Sequence, residues 1–407
     1  MEENMKVRNM RRGVIAVVAA AAMALTGCSS AKNETGAEST KEPAKTTEAM
    51  AGGAFKIVDV EGRTVEFDKA PEHIILGESR NLFATSILNK DKPLDKIVGW
   101  GTDMQRNVSD YWSRGIIEMP EIAKIPEIGA FSKGDVTVEN LLTLDPDVVV
   151  LSKDERKAAE KGGIISAMEA ADIKYVVTDF RSSPLQNTTK SMEILGALFG
   201  REKEAAEFNA EWQKTVDMIE ERTANIADKP TTFVWRAAGI KDCCSTWNNA
   251  NISELVNHAG GKNLGDEFVQ GEAGDLTPEQ VIDSNPQVII ATGGDWSNKK
   301  NSAGDPAAYA AAGYGIDSVS AQETMKKAIA AQPGFELLDA PKSGDFHSMW
   351  HQFYNSPFNY LAMLQIAAWL HPDKFQDIDV QQKWLDAQER WSILPGEGAF
   401  FNTMAAS

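Results

Sequence analysis

The chain has 407 residues, a formal net charge of -18 and three cysteines. Nucleic-acid phosphates require a basic surface, so the acidic composition excludes a nucleic-acid-binding protein. Apart from Cys28, the cysteines are the adjacent Cys243 and Cys244, which can build neither a disulfide framework nor a multi-cysteine zinc site and are interpreted as free thiols or a vicinal disulfide.

The N-terminus has the features of a secretory signal. Four basic residues fall within the first twelve positions, and an apolar, alanine-rich run over residues 13–25 follows them. This run is too short to span a bilayer as a permanent helix. It leads into the sequence LTGC at residues 25–28, which resembles the lipobox of bacterial lipoproteins. The sequence therefore predicts a signal peptide over residues 1–27 and lipidation of Cys28; a plain signal peptide with an incidental cysteine is the alternative.

The segment after the signal peptide is polar. Residues 28–54 are rich in Ser, Thr, Ala, Glu and Lys, and the first aromatic residue beyond Cys28 is Phe55. Such a segment cannot bury enough apolar surface to offset the entropy of ordering it, so it is predicted to be a disordered tether. No later segment has the roughly 18 uninterrupted apolar residues of a membrane-spanning helix. We therefore expect the rest of the chain to be soluble and held at the membrane by lipid.

Two segments of the chain repeat each other. Residues 136–150 and residues 276–290 align without a gap at an offset of 140. Each copy has a Thr placed as helix N-cap, a Glu in the first turn, a short apolar helix, a Pro that ends the helix and a β-branched run typical of a buried parallel strand. In the second copy, Thr277 and Gln280 match a capping box. We interpret the pair as a duplicated helix-to-strand module, one copy in each of two lobes; a chance match is the alternative.

Further strands are predicted where short β-branched runs alternate with helical stretches, a pattern that indicates parallel sheets. The folded part, about 350 residues, exceeds one ordinary core and favours two lobes. The predicted fold is therefore α/β, with central parallel sheets flanked by helices in an N-terminal lobe over residues 55–184 and a C-terminal lobe over residues 228–407. The additional strand candidates are residues 73–77, 96–100, 174–178 and 231–235.

A helical region separates the two predicted lobes. Residues 185–227 have apolar side chains at three- and four-residue spacing, which indicates an amphipathic helix. Gly200 is expected to break the region into a short helix and a long one. We interpret the long helix as a rigid connector between the lobes; a local surface helix is the alternative.

Three arginines follow predicted strands. Arg80 and Arg181 follow strands of the first lobe, Arg236 follows the opening strand of the second lobe, and Trp296 lies just beyond the strand of the second repeat. In open α/β sheets, ligands bind beyond the carboxyl ends of the strands. A guanidinium offers paired donors that suit carboxylate, phosphate or catecholate oxygens. The arrangement predicts an anionic ligand held from both lobes by side chains that face a water-filled cleft, although each arginine taken singly has the alternative of a surface or salt-bridging residue.

Besides the repeated units, four short stretches match a known family in their order and spacing: VDVEGRTV at residues 58–65, IG at 128–129, AGGKN at 259–263 and LHPDKF at 370–375. With these stretches the chain resembles the iron-siderophore, haem and cobalamin class of periplasmic binding proteins over nearly all of residues 57–394. The resemblance implies two α/β lobes joined by one long connector helix, a ligand bound between the lobes, and small hinge motions. It also implies delivery of the ligand to an ABC permease and its ATPase.

The resemblance assigns a role to one acid in each repeat. By position, Glu139 and Glu279 would meet arginines of the permease. The alternative is that each is an ordinary first-turn acid favoured by the helix dipole.

The resemblance also places residues 346–357 at the cleft, where Trp350, His351 and Tyr354 would stack on a chelate or form hydrogen bonds with it. His347 and His351 have the spacing of two metal ligands on one helical face. No third ligand is evident, so no metal site is predicted. A Tyr or His side chain can also ligate haem iron; an aromatic cluster packed between the lobes is the alternative.

The chain lacks the GxSxG, HExxH, Walker and GxGxxG motifs, so we expect a binding protein and not an enzyme, with a surface-anchored hydrolase as the rival. The expected ligand is an anionic metal chelate of the ferric siderophore type, with haem, cobalamin and an oxoanion such as molybdate as alternatives. No intrinsic cofactor is expected. The protein is predicted to be a lipid-anchored monomer on the extracytoplasmic face of the membrane, in the periplasm or outside a Gram-positive cell.

Overall fold

The computed structural model describes residues 46–49, 53–240, 243–301 and 303–406. The predicted signal peptide and the lipidated Cys28 lie outside the described residues. Within these ranges, no helix combines the length and the apolar character that crossing a membrane requires.

The first lobe contains a parallel sheet and a smaller antiparallel one. Its strands are β1 (Thr47–Ala49), β2 (Phe55–Val58), β3 (Thr64–Phe67), β4 (Ile74–Leu76), β5 (Ile97–Trp100), β6 (Val148–Ser152) and β7 (Tyr175–Thr178). The parallel sheet has the order β5-β4-β6-β7, and the antiparallel sheet has the order β1-β2-β3. Strands β4, β6 and β7 are buried along their whole length, because helices cover both faces of a parallel sheet. The four predicted strands of this lobe are confirmed to within two residues.

Strand β1 lies inside the segment predicted to be a tether. Thr47 pairs with Ile57 on β2, and the preceding Thr46 is buried. The tether prediction is therefore wrong for residues 47–49. The pairing uses main-chain hydrogen bonds, which do not require apolar side chains, and composition alone does not show it.

The helices of the first lobe flank its parallel sheet. They are α1 (Leu82–Leu88), α2 (Asp103–Asn107), α3 (Ser109–Glu118), α4 (Val138–Leu142), α5 (Lys153–Lys161) and α6 (Ile164–Ala170). Helix α5 begins directly after β6 with a capping box formed by Ser152 and Glu155. This cap fixes Glu155 near the carboxyl end of the sheet.

The connector region forms two helices, α7 (Pro184–Phe199) and α8 (Glu202–Thr223). The predicted break at Gly200 is confirmed, and this glycine has a positive φ of 66° that ends α7. Helix α8 packs against α1 of the first lobe and against the last long apolar helix of the second. There Phe208 meets Phe358 edge to face, and Trp212 Nε1 donates to Asn359 Oδ1 at 2.8 Å. These contacts attach α8 to both lobes.

The second lobe is built on a five-stranded sheet. Its strands and helices are β8 (Thr231–Trp235), β9 (Ser245–Trp247), α9 (Asn251–His258), β10 (Lys262–Asn263), α10 (Gly265–Phe268), β11 (Ala273–Asp275), α11 (Pro278–Ser284), β12 (Val288–Gly293), β13 (Gly313–Tyr314), α12 (Ser318–Ala330), α13 (Asp339–Ser343), β14 (Phe346–Trp350), α14 (Asn359–Leu370), α15 (Pro372–Phe375), α16 (Val380–Trp391), β15 (Gly398–Ala399) and β16 (Phe401–Thr403). The sheet order is β10-β8-β12-β14-β16, and all neighbours are parallel except β16, which runs antiparallel at the edge.

Both copies of the repeat have the predicted structure. In the first, Thr137 caps α4 by accepting from the Asn140 backbone N–H at 3.2 Å, and β6 follows. In the second, Thr277 and Gln280 form the predicted capping box of α11, and β12 follows. The prediction of one helix-to-strand module in each lobe is confirmed.

The adjacent cysteines lie between β8 and β9. Cys243 and Cys244 are joined in a vicinal disulfide, which was one of the two interpretations. Cys244 is buried, and its backbone exchanges two hydrogen bonds with Leu276 at 2.9 and 3.0 Å.

One hydrophobic cluster continues from the first lobe into the second. Phe83 meets Trp350 edge to face with ring centroids 5.7 Å apart, and Tyr111 meets Tyr314 in the same way at 5.4 Å. The described residues accordingly belong to one compact unit. The carboxyl ends of the two parallel sheets meet beside this shared core.

Candidate ligand-binding site

Strand ends of both lobes meet at Tyr354. Arg80 lies in the turn after β4, Arg181 in the turn after β7, and Tyr354 in the turn that follows β14. The guanidinium carbons of Arg80 and Arg181 lie 5.2 and 5.0 Å from the centroid of the Tyr354 ring, within cation-π range. Arg80 also donates to the Tyr354 hydroxyl. Two first-lobe arginines therefore contact one aromatic residue of the second lobe.

Arg236 reaches the same place through Trp247. It follows β8, and its guanidinium carbon lies 5.0 Å from the centroid of the Trp247 ring. The Trp247 ring is stacked against His351 and Tyr354 at centroid distances of 6.4 and 6.5 Å. The sequence analysis missed Trp247, because the three-residue strand β9 that carries it is too short to show a pattern. We refer to Arg80, Arg181, Arg236, Trp247, His351 and Tyr354 as the arginine-aromatic cluster.

His351 lies at the centre of the aromatic contacts. Its ring stacks on Tyr354 at 4.5 Å and meets Trp296 edge to face at 5.4 Å, and its Nδ1 is 2.8 Å from Thr292 Oγ1. Burial lowers the pKa of His351 well below its ordinary value, and the positive charges of the nearby arginines lower it further. The imidazole is therefore neutral at physiological pH and acts as an aromatic surface.

Arg80 does not face a water-filled cleft, so that prediction is wrong for this residue. Its side chain is only 5% exposed, and its Nε donates to Asp103 Oδ2 at 2.6 Å. Glu78 Oε1 lies 3.5 Å from its second amino group. Across the lobe boundary, Arg80 donates to Gln352 Oε1 at 3.3 Å. Arg80 thus cross-links the lobes, because acceptors from both lobes contact its guanidinium.

The other two arginines differ in their partners. Arg181 forms an ion pair with Asp154 on α5 at 3.0 Å, and its side chain is 27% exposed. Within the described residues, no carboxylate forms an ion pair with Arg236, which is half-buried. Burial and then repulsion by Arg181 lower the pKa of Arg236.

Trp350 lies outside the arginine-aromatic cluster, although the sequence analysis placed it at the cleft with His351 and Tyr354. Its indole is 2% exposed, packs in the shared core and donates from Nε1 to Asp110 Oδ2 at 3.1 Å. Burial raises the pKa of Asp110 to about 6. The next residue, His351, starts a turn and its ring contacts Trp247 and Tyr354, whereas Trp350, the last strand residue, points into the core.

The suggested spacing of His347 and His351 on one helical face is wrong, because His347 lies on strand β14 and His351 in the following turn. His347 stacks on Trp369 at 4.5 Å, and its Nδ1 is 2.9 Å from Thr403 Oγ1. Burial lowers the pKa of His347 to about 3. No group of three or more His, Cys, Asp or Glu side chains that could hold a metal ion occurs in the part of the chain that the structure describes.

Glu139 and Glu279 occupy the first turns of α4 and α11, as the repeat predicts. Both side chains are exposed, and neither forms an ion pair with a described residue. Their carboxylates are therefore accessible to a partner.

Comparison with known proteins agrees with this architecture. Residues 76–349, more than half of the chain, match the family model described as periplasmic binding protein. The chain is 25% identical to the TroA-like periplasmic binding protein FepB from Veillonella parvula, with a TM-score of 0.78 over 86% of this chain and 99% of that one. A comparison with curated protein sequences finds no match.

More distant structures share the fold. The molybdate-bound periplasmic binding protein MolA of Haemophilus influenzae is 16% identical, with a TM-score of 0.64 over 84% of this chain and 99% of that one. Helicobacter pylori CeuE with Ni(II) bound is 17% identical, with a TM-score of 0.59 over 83% of this chain and 96% of that one. Because the family model matches more than half of the chain, the chain belongs to the periplasmic binding protein family, the extracytoplasmic solute-binding proteins that serve ABC importers.

Proposed function

We propose that the chain captures an anionic metal chelate of the ferric siderophore type between its lobes and delivers it to an ABC permease and its ATPase. The observation that carries the proposal is the arginine-aromatic cluster, which contains side chains from both lobes. Guanidinium groups bind the oxygens of carboxylates and catecholates, and aromatic rings contact the planar parts of a chelate. A ligand in contact with both lobes would favour one relative arrangement of the lobes, which a permease can recognise.

Two further features of the proposal concern the membrane. Lipidation of Cys28 would hold the protein at the extracytoplasmic face, and the exposed Glu139 and Glu279 would contact basic residues of the permease. Opposite charges attract across such an interface. Because the two acids lie on separate lobes, pairing both with basic residues of the permease would also fix the orientation of docking.

Native mass spectrometry of the purified chain tests the ligand. The panel contains a ferric catecholate, a ferric hydroxamate, haemin, cobalamin and molybdate. We expect a ferric chelate to be retained, and Arg181→Ala to weaken its retention because Arg181 is a partly exposed cation of the cluster. The matched control is Arg222→Ala, which removes an arginine paired with Asp377 at the far end of α8.

Other results of this experiment would assign a different ligand or a different function. Exclusive retention of haemin, with a Soret band on titration, would assign haem, and exclusive retention of molybdate would assign an oxoanion. Chemical turnover of a retained compound would favour the hydrolase.

A further inference from the structure

The arginines of the cluster are already matched by carboxylates, with one exception. Arg80 has Asp103 at 2.6 Å and Glu78 at 3.5 Å, so two acids face this one cation. Arg181 has Asp154 at 3.0 Å. The charges of Arg80 and Arg181 are therefore already paired with carboxylates of the protein.

The cation of the cluster that remains available to a ligand is Arg236. Its guanidinium stacks on Trp247 and forms no ion pair within the described ranges. Burial and then repulsion by Arg181 lower the pKa of this group, while Asp275 and Asp154 act in the opposite direction without forming an ion pair with it. A negative atom of a ligand placed beside Arg236 would replace the water that this cation gives up on burial.

Other ionisable groups near the cluster do not add positive charge. His351 is neutral, as its lowered pKa shows. Lys153, which precedes Asp154 on α5, lies 3.9 Å from Asp179. Burial, and then repulsion by Glu78 and Asp103, raises the pKa of Glu155 well above its usual range and favours the protonated form.

From this pairing we propose that the cleft prefers a ligand with a single negative charge to ligands with higher negative charge. The single negative charge would pair with Arg236. The inference rests on the proposed function, because it concerns the ligand of the same cleft. A second negative charge would meet Glu78, Asp103 or Asp154 without a free cation to balance it. Trp247 and His351 instead offer uncharged faces to the rest of the ligand.

The probes are ferric complexes of tripodal chelators on one scaffold. Replacing hydroxamate arms by catecholate arms, one at a time, makes the complex neutral, singly, doubly or triply negative while iron keeps six oxygen donors. Affinity is measured by quenching of tryptophan fluorescence. We expect the singly negative complex to bind tightest, and each further negative charge to weaken binding by about tenfold, as expected for charges several ångströms apart at a partly buried site.

Two variants test the assignment in opposite directions. Arg236→Gln removes the free cation and should shift the preference to the neutral complex. Asp154→Asn releases Arg181 from its partner and should improve binding of the doubly negative complex by about tenfold relative to the singly negative one. A loss of packing alone would weaken all complexes equally, and Arg222→Gln, remote from the cleft, should leave the order unchanged.

The outcomes separate the two proposals. The charge inference is overturned if the unmodified chain binds any other member of the series most tightly, or if the order of affinities is unchanged in both cleft variants. Either result leaves the proposed transport of a metal chelate standing. Binding of no member removes the proposed function, and the inference with it.

Discussion

Replacing Arg80 by Met should destabilise the fold, in contrast to replacement of a residue that faces solvent. Met has a comparable length but no charge and no hydrogen-bond donors. The substitution removes the guanidinium that pairs with Asp103 Oδ2 and donates to Gln352 across the lobe boundary, so Asp103 keeps only neutral donors from Ser79 and from the backbone at position 80. Asp103 and Glu78 have side chains only 12% and 10% exposed, so water cannot fully replace the guanidinium.

The magnitude follows from the burial of the pair. Breaking a buried ion pair by removing one partner costs about 3–5 kcal/mol, because the remaining charge stays buried and uncompensated. The matched substitution Arg236→Met removes an arginine with no ion pair among the described residues and should cost less than about 1 kcal/mol. The difference between the two variants is therefore the informative quantity.

Urea unfolding followed by tryptophan fluorescence measures both free energies, since urea, unlike guanidinium chloride, does not screen charges. Adding Asp103→Asn to Arg80→Met should recover part of the loss, because it removes a charge left without a partner. Equal free energies of unfolding for Arg80→Met and Arg236→Met would refute the interpretation of Arg80 as a buried cross-link between the lobes.

Three further predictions concern other parts of the molecule. Burial raises the pKa of Asp110 to about 6 from 3.8, so its ionisation lowers the stability of the fold as the pH rises from 3.8 to about 6. Asp110→Asn should remove about 3 kcal/mol of this pH dependence of the free energy of unfolding in urea, and an unchanged pH dependence would contradict the reasoning. Combined Glu139→Ala and Glu279→Ala should leave ligand affinity unchanged and lower uptake by cells, and normal uptake would remove the docking proposal. In Gly293→Ala, the added Cβ would meet the backbone carbonyl of Ala310; we expect a loss of about 1–3 kcal/mol in the free energy of unfolding, and a loss of a few tenths would show that the segment over β12 moves freely.

Local sequence patterns were sufficient for the elements of the fold. The caps at Thr137 and Thr277 and the strands after them depend on residues only a few positions apart, and a strand buried on both faces has a continuous apolar run. The break at Gly200 is equally local. The pairing of residues 47–49 and the antiparallel edge strand β16 depend on distant main-chain partners, and the sequence analysis did not find them.

The site was only partly predictable. The rule that ligands bind at the carboxyl ends of parallel strands led from sequence to Arg80, Arg181 and Arg236, and the structure places all three near Tyr354 or its neighbour Trp247. This worked because strand direction alone decides at which edge of the sheet these residues lie.

Only the tertiary structure decided which side chains are free and which are already paired. Asp103 and Asp154 lie 23 and 27 positions from the arginines they hold, and nothing in the local sequence distinguishes them from other acids. Likewise, Trp350 faces the core and Trp247 the cluster because the packing of the two lobes fixes their directions. The charge available to a ligand is set by distances of a few ångströms between remote residues, and those distances exist only in the folded chain.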